Sequence, residues 1–251
     1  MRKILILGST GSVGKAAFDF ISKNKKDYEV VCLVASTNEK VINKQAEKYT
    51  NCKTYLENPK KANYSKKSLT KDKLLELIAS NEVDTVIAAI SGSKGLDLIH
   101  HSISCGKRVL IANKEPLVMA GEFLINETQK SGAEIIPIDS EHCAIHQIIK
   151  GRDLDSISKI ILTCSGGPFH SLSRNKFKVI TKKQALNHPV WKMGSKITID
   201  SSTLMNKALE IIEAKFLFEI EHKKIEAIIH PESLIHSFVA VSYTHLRAHE
   251  T

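Results

Sequence analysis

The 251-residue chain has no apolar run approaching the roughly 18 residues that a membrane-crossing helix needs, so no membrane partner is expected. Its five cysteines, Cys32, Cys52, Cys105, Cys143 and Cys164, are odd in number, and no two form a Cys-x-x-Cys pair. That spacing argues against a thiolate zinc site or a disulfide framework and fits reduced thiols. Aromatic residues make up only 6%, with a single tryptophan, so the net charge of +9 is not interleaved with stacking platforms. The basic residues are scattered, as in Lys23, Lys25, Lys26, Lys60, Lys61, Lys66 and Lys67. No DNA- or RNA-binding signature accompanies them. They read as solvated faces, and no nucleic-acid partner is expected. Internal repeats and low-complexity linkers are also missing. Met1 to Leu7 is short and runs straight into a glycine-rich turn, which reads as a first strand rather than a signal peptide. The expected location is therefore cytoplasmic.

What is present is enough for a core: 42% hydrophobic and 25% charged residues, ordinary values for a globular protein. In the first half, apolar β-branched runs at residues 3–7, 29–35, 84–90, 109–112 and 133–138 alternate with helical patterns at 14–22, 39–49, 71–80 and 121–130. This βαβ rhythm predicts an α/β, doubly wound, Rossmann-like parallel sheet. The second half changes character. A strand over 157–163 runs into Ser165-Gly166-Gly167-Pro168, a short strand is expected at 197–199, a strong helix at 204–218, and strands at 225–229 and 234–241. The predicted organisation is a dinucleotide-binding domain over residues 1–138, then a smaller α+β domain over 139–240.

The first strand ends in Gly8-Ser9-Thr10-Gly11-Ser12-Val13-Gly14, which opens a helix. Glycines let the backbone turn tightly against a pyrophosphate, and the helix N-terminus supplies N–H donors. The spacing is G-x-x-G-x-x-G rather than the commoner G-x-G-x-x-G, but the strand before and helix after are the context the motif requires. Enzymes that use NAD usually end the second strand with an acid for the ribose 2′-hydroxyl. Here the stretch is Val34-Ala35-Ser36-Thr37-Asn38, with no acid until Glu39 and with Lys40 nearby. Hydroxyls, an amide and a lysine suit a 2′-phosphate, so NADP is favoured.

Three further segments carry chemistry. Ala112-Asn113-Lys114-Glu115-Pro116 sits at a strand end, where open α/β sheets bind ligands. Pro137-Ile138-Asp139-Ser140-Glu141-His142 also follows a strand. On extended backbone, Asp139 and Glu141 would point to one side, as suits a hard divalent cation. A competing zinc reading pairs His142 with His146 at i, i+4. In Asp200-Ser201-Ser202-Thr203-Leu204-Met205-Asn206-Lys207-Ala208-Leu209-Glu210, hydroxyls precede a helix and are expected to cap it or bind phosphate. Asn206, Lys207 and Glu210 share one helical sector, with an ordinary i, i+3 ion pair as the plainer alternative.

Together these segments resemble the 1-deoxy-D-xylulose 5-phosphate reductoisomerase family. The likeness also runs through Ser165-Gly166-Gly167-Pro168-Phe169, His188-Pro189-Val190-Trp191-Lys192-Met193-Gly194 and His230-Pro231-Glu232-Ser233-Leu234-Ile235-His236-Ser237, as far as Val239. The resemblance implies that Gly8, Thr10, Gly11, Ser12, Val13, Gly14, Ser36, Thr37, Asn38, Asn113, Glu115 and Gly194 contact NADPH. It implies that Asp139, Glu141 and Glu210 hold Mg²⁺, Mn²⁺ or Co²⁺. Lys114, Ser140, Glu141, Ser165, His188, Ser201, Asn206, Lys207 and Glu210 would bind a small phosphosugar. Catalysis would fall to Lys114, Asp139, Glu141, Glu210 and His188. The stretch from His188 to Gly194 would be a flap bringing Trp191 and Met193 over the substrate. The implied reaction rearranges 1-deoxy-D-xylulose 5-phosphate and reduces it to 2-C-methyl-D-erythritol 4-phosphate, an isoprenoid precursor. A homodimer is implied for the full-length protein. The chain departs from the family at Ser36-Thr37, where glycine and a basic residue are common.

Residues 241–251 do not match the family's continuation and read as an artefactual tail. The second domain is accordingly expected to be truncated, and the chain to bind NADPH weakly at best with little turnover. Two other enzyme-level readings stay open: a different two-domain NADP-dependent oxidoreductase acting on a small carbonyl substrate, and an inactive fragment. A basic nucleic-acid-binding module would instead show steep salt dependence and no NADPH affinity.

Overall fold

The computed structural model describes residues 1–59, 67–190 and 194–242. Its contacts divide the chain into two compact units, Met1–Ile138 and Asp139–Thr251. The expectation for residues 241–251 falls largely outside the described residues.

The first unit runs β1 (Arg2–Leu7), α1 (Ser12–Lys23), β2 (Tyr28–Ala35), α2 (Glu39–Ala46), β3 (Lys53–Leu56), α3 (Lys71–Ala79), β4 (Thr85–Ala88), α4 (Leu96–Ser104), β5 (Arg108–Ile111), α5 (Glu115–Ser131) and β6 (Glu134–Pro137). The six strands are parallel, in the order β3-β2-β1-β4-β5-β6. Strands covered on both faces must be apolar throughout, and Ile4, Leu5, Ile6 and Leu7 are all buried. The strand order reverses between β1 and β4, which places the ligand crevice of such a sheet at the carboxyl ends of these two strands.

Two elements of this unit escape the sequence pattern. β3 is no shorter than β4, β5 or β6, but it opens with Lys53 and Thr54 and has only Tyr55 and Leu56 as consecutive apolar residues, where β4 and β5 have three in a row. In α4 the inward set Leu98, Ile99, Ser102 and Ile103 includes a serine, whose hydroxyl donates back to Leu98 O at 2.6 Å and so is satisfied within the helix.

The second unit contains α6 (Ser140–Ile149), β7 (Ile157–Cys164), α7 (Lys182–Ala185), α8 (Ser195–Ser202), α9 (Met205–Leu217), β8 (Ile225–Ile229) and β9 (Ser237–Val241). Its sheet has the order β8-β7-β9, with β8 parallel and β9 antiparallel to β7. Ile145 and Ile149 of α6, Ala214 of α9 and the adjoining Phe218 pack with Ile157, Ile160 and Leu162 of β7.

The strand expected at 197–199 is instead the middle of α8. β-branched Ile197, Thr198 and Ile199 mimic a strand. Within the helix the hydroxyls are satisfied by bonding back one turn: Thr198 Oγ1 donates to Gly194 O at 2.9 Å and Ser202 Oγ to Ile199 O at 2.7 Å. Ser201 and Ser202 therefore end α8 rather than cap the next helix. The N-cap of α9 is Leu204, held left-handed at φ 61°. Such a conformation costs on the order of 1–3 kcal/mol in a non-glycine residue. Here it turns the chain sharply between two helices and fixes the phase of α9.

Candidate active site

In the first unit the glycine turn is pinned to the neighbouring strand. Gly8 and Ser9 N–H both donate to Val34 O at 2.9 Å, and Gly11 N–H donates to Gly8 O at 3.0 Å. Gly11 is the N-cap of α1 and no side chain caps that helix. Gly11, Ser12 and Val13 are exposed there, so the first amides of α1 face a place where an anion can sit. At the end of β2, Ser36 and Thr37 are exposed. The Asn38 side chain caps α2 by accepting from Val41 N–H at 3.2 Å. Asn113 is buried, and its amide nitrogen donates to Ile90 O and to Gly92 O, the latter at 2.8 Å. It fastens the loop after β4. Lys114 is the buried N-cap of α5, and Glu115 is that helix's first residue.

In the second unit, Asp139 is the N-cap of α6 but makes no side-chain cap bond, and Glu141 lies in the first turn. The two carboxylates thus meet across a helix start, not by alternation along a strand. The helix dipole favours negative charge there. One oxygen each from Asp139, Glu141 and Glu210 lies within 4.8 Å of the others. Glu210 is 1% exposed, and its oxygens accept from Asn206 Nδ2 and Lys207 Nζ. Glu141 accepts from Lys207 Nζ at 2.8 Å and from Ser140 Oγ at 2.5 Å. Burial pulls the Lys207 ammonium toward losing its proton, but Glu210 and Glu141 outweigh that and hold its pKa above the ordinary lysine value. The i, i+3 ion pair of Lys207 and Glu210 does form, and it is buried, with Glu141 as a second carboxylate on the same ammonium.

These groups line a cleft of about 450 Å³, together with Ser165, His188 and Ser201. Val190 N–H donates to His188 Nδ1 at 3.2 Å, so the neutral ring carries its proton on Nε2, 3.0 Å from Ser165 Oγ. Burial lowers the His188 pKa, favouring that neutral form. Ser165 Oγ also accepts from Gly167 N–H at 3.2 Å. With both lone pairs engaged, its own proton is directed to a further acceptor.

Asp139, Ser140, Glu141, Ser165, His188, Ser201, Asn206, Lys207 and Glu210 thus converge. Lys114 belongs to the first unit, and Gly194 is the exposed N-cap of α8 in the second. Trp191 and Met193 lie outside the described residues. Among the described residues no metal-capable group includes His146, so the His142–His146 zinc pair is not formed.

Sequence reasoning overlooked what stands behind the carboxylates. His142 is fully buried. Its Nε2 bonds Glu210 O at 2.9 Å, while Nδ1 lies 3.5 Å from Glu213 and 3.9 Å from Asp139. The available signal was Glu213 itself, a carboxylate one turn beyond Glu210 on a largely apolar helix.

The family model described as 1-deoxy-D-xylulose 5-phosphate reductoisomerase matches residues 4–121, and that of the C-terminal domain of the same enzyme matches residues 135–218. The chain is 42% identical over 246 residues to the 1-deoxy-D-xylulose 5-phosphate reductoisomerase of Thermoanaerobacter sp. (strain X514), covering 95% of this chain and 64% of that protein. It is 39% identical over 260 residues to that of Desulforamulus reducens, covering 99% of this chain and 67% of that one. Among solved structures, a DOX-P reductoisomerase in complex with NADPH, fosmidomycin and magnesium superposes with a TM-score of 0.86 at 35% identity, covering 96% of this chain and 64% of that one. The Zymomonas mobilis 1-deoxy-D-xylulose 5-phosphate reductoisomerase with NADPH gives 0.85 at 38% identity, with the same coverage. The chain thus spans just under two thirds of the length of the Thermoanaerobacter relative.

Proposed function

The chain belongs to the 1-deoxy-D-xylulose 5-phosphate reductoisomerase family, and from that premise we propose that it carries the NADPH- and divalent-metal-dependent conversion of 1-deoxy-D-xylulose 5-phosphate to 2-C-methyl-D-erythritol 4-phosphate. The observation that carries the proposal is the meeting of Asp139, Glu141 and Glu210 at the wall of one cleft. Three carboxylates are the donor set of a hard divalent ion, and Lys207 Nζ already sits as a cation between two of them. The residues therefore fit Mg²⁺, Mn²⁺ or Co²⁺. The uncapped amides of α1 beside the glycine turn likewise fit a pyrophosphate.

When bound, the cation draws charge from the substrate's carbonyl and hydroxyl oxygens, and NADPH supplies the hydride. The protein's own groups hold the rest. Ser165 offers its hydroxyl proton to an anionic oxygen, and Ser201, Asn206 and Lys207 add donors for the phosphosugar. Neutral His188 orients Ser165 through Nε2–H. Lys114 is assigned proton or charge balance at a substrate oxygen through Nζ. Gly8, Thr10, Gly11, Ser12, Val13, Gly14, Ser36, Thr37, Asn38, Asn113, Glu115 and Gly194 are assigned to the dinucleotide, Asn38 and Asn113 by shaping the backbone around it. A homodimer and a cytoplasmic location belong to the same proposal. No helix among the described residues is long and apolar enough to cross a membrane.

The test is substrate-dependent NADPH oxidation in the presence of Mg²⁺. A chelator should abolish it, and added Mg²⁺, Mn²⁺ or Co²⁺ should restore it. Oxidation that ignores the chelator would remove the metal from the reading.

The cofactor choice is tested separately by fluorescence titration of this chain. Ser36, Thr37 and Asn38 stand where an acid would select NADH. Hydrogen bonds to a charged group add about 1.5–3 kcal/mol, so NADPH should bind at least about tenfold tighter than NADH. Equal or tighter NADH binding would reverse the assignment.

A further inference from the structure

We propose that Gln45 is a positioning residue for the dinucleotide: from α2 it fixes the orientation of the Ser9–Thr10 peptide, so that Thr10 N–H is presented to the pyrophosphate. The inference rests on the NADPH-binding reading above and goes beyond its contact residues.

Gln45 is 7% exposed, and its Nε2 donates to Ser9 O at 2.9 Å across 36 positions of sequence. Ser9 itself is fully buried. The peptide is trans, and in a trans peptide C=O and N–H point in opposite directions. Drawing Ser9 C=O inward to Gln45 therefore turns Thr10 N–H outward, beside the exposed Gly11, Ser12 and Val13. Thr10 N–H makes no hydrogen bond among the described residues. It is a donor held in place without a protein acceptor, at the carboxyl end of β1 where the strand order reverses.

A filler role for Gln45 does not account for the choice of side chain. Its Oε1 is buried with no hydrogen-bond partner among the described residues. An unsatisfied buried acceptor costs about 1–3 kcal/mol, which a methionine of similar shape would avoid. Glutamine is thus a poor choice for packing alone and a good one for holding a carbonyl. Its helix is also capped by Asn38, which follows Ser36 and Thr37. Gln45 thereby ties the segment assigned to the ribose 2′-phosphate to the turn assigned to the pyrophosphate.

The experiment is Gln45→Met, which keeps the length and apolar stem and removes only the donor. Binding of NADPH and of adenosine 2′-monophosphate, which has no pyrophosphate, is measured on the native chain and the variant, with Tm for both. The expected result is NADPH binding weakened about tenfold, the loss of one well-aimed hydrogen bond to a charged group. Adenosine 2′-monophosphate affinity and Tm should stay near native. Unchanged NADPH binding, or an equal loss for both ligands, would overturn the positioning role. A drop in Tm that carries both affinities down with it would reassign Gln45 to packing, which also overturns it. Failure of the native chain itself to bind NADPH would instead overturn the dinucleotide reading.

Discussion

Glu210→Gln is expected to lower divalent-metal affinity at least about a hundredfold, since even removing a partner behind a metal ligand costs about 10–100-fold. Turnover should fall by a similar or larger factor. The reason is charge at nearly constant shape. Asp139, Glu141, Glu210 and Lys207 together carry a charge of −2, which a divalent cation neutralises. The amide leaves −1 and offers only a neutral oxygen, and it places an NH₂ donor beside either Lys207 Nζ or Asn206 Nδ2, which both now donate to Glu210. Lys207 keeps Glu141 as its counter-ion at 2.8 Å, so the variant avoids the full penalty, about 3–5 kcal/mol, of an orphaned buried charge. Mn²⁺ titration reads the metal site, and NADPH titration reads the first unit independently. Metal affinity within a fewfold of native would remove Glu210 from the ligand set. Loss of NADPH binding alongside would mean that the substitution damages the protein generally.

The same cluster shows how far the sequence carries. Asp139, Glu141 and Glu210 stand out because three acids at a strand end and on an apolar helix have no packing reason to be there. The route by which they meet was not legible. Asp139 and Glu141 come together because Ser140 begins a helix, and a hexapeptide at a strand end does not reveal where the strand stops. The alternation of apolar strands with helical periods predicted the parallel sheet, and the family resemblance pointed the same way. Such patterns report apolar runs, so β3 with its Lys53 and Thr54 and the serine-bearing inner face of α4 stayed hidden. α8 differs from the expected strand because Ile197, Thr198 and Ile199 have the composition of a strand, while the segment lies in a helix whose hydroxyls bond back to the preceding turn. His142 with Glu213, and Gln45 with Ser9, depend on contacts 71 and 36 positions apart. No local pattern encodes those.

Gly14→Ala should destabilise the first unit by about 1–3 kcal/mol, the usual cost of overpacking, and abolish measurable NADPH binding. Two effects oppose each other at this position. Alanine improves helix propensity over glycine by roughly 0.8–1.0 kcal/mol, and Gly14 lies within α1. Against that gain, a Cβ at Gly14 would stand 2.2 Å from Gly8 O, 2.7 Å from Ser9 Cα and 2.8 Å from Gly8 C. All three are backbone atoms of the turn itself. They cannot rotate aside as a side-chain tip can, because Gly8 and Ser9 are bonded to Val34 O. The helix must therefore withdraw from the strand end, and it carries with it the buried Phe18 and Ile21 and the amides assigned to the pyrophosphate. Repulsion at 2.2 Å outweighs a propensity gain of less than about 1 kcal/mol. Gly11→Ala is the control, since the nearest atom to its Cβ would be Gly8 O, at 3.3 Å. That variant should keep Tm near native, so any loss of NADPH affinity in it reports the exposed side of the turn and not its packing. Thermal unfolding and NADPH titration of both variants decide the matter. A Gly14→Ala protein with native Tm and native NADPH affinity would show that α1 is not packed against the turn as described.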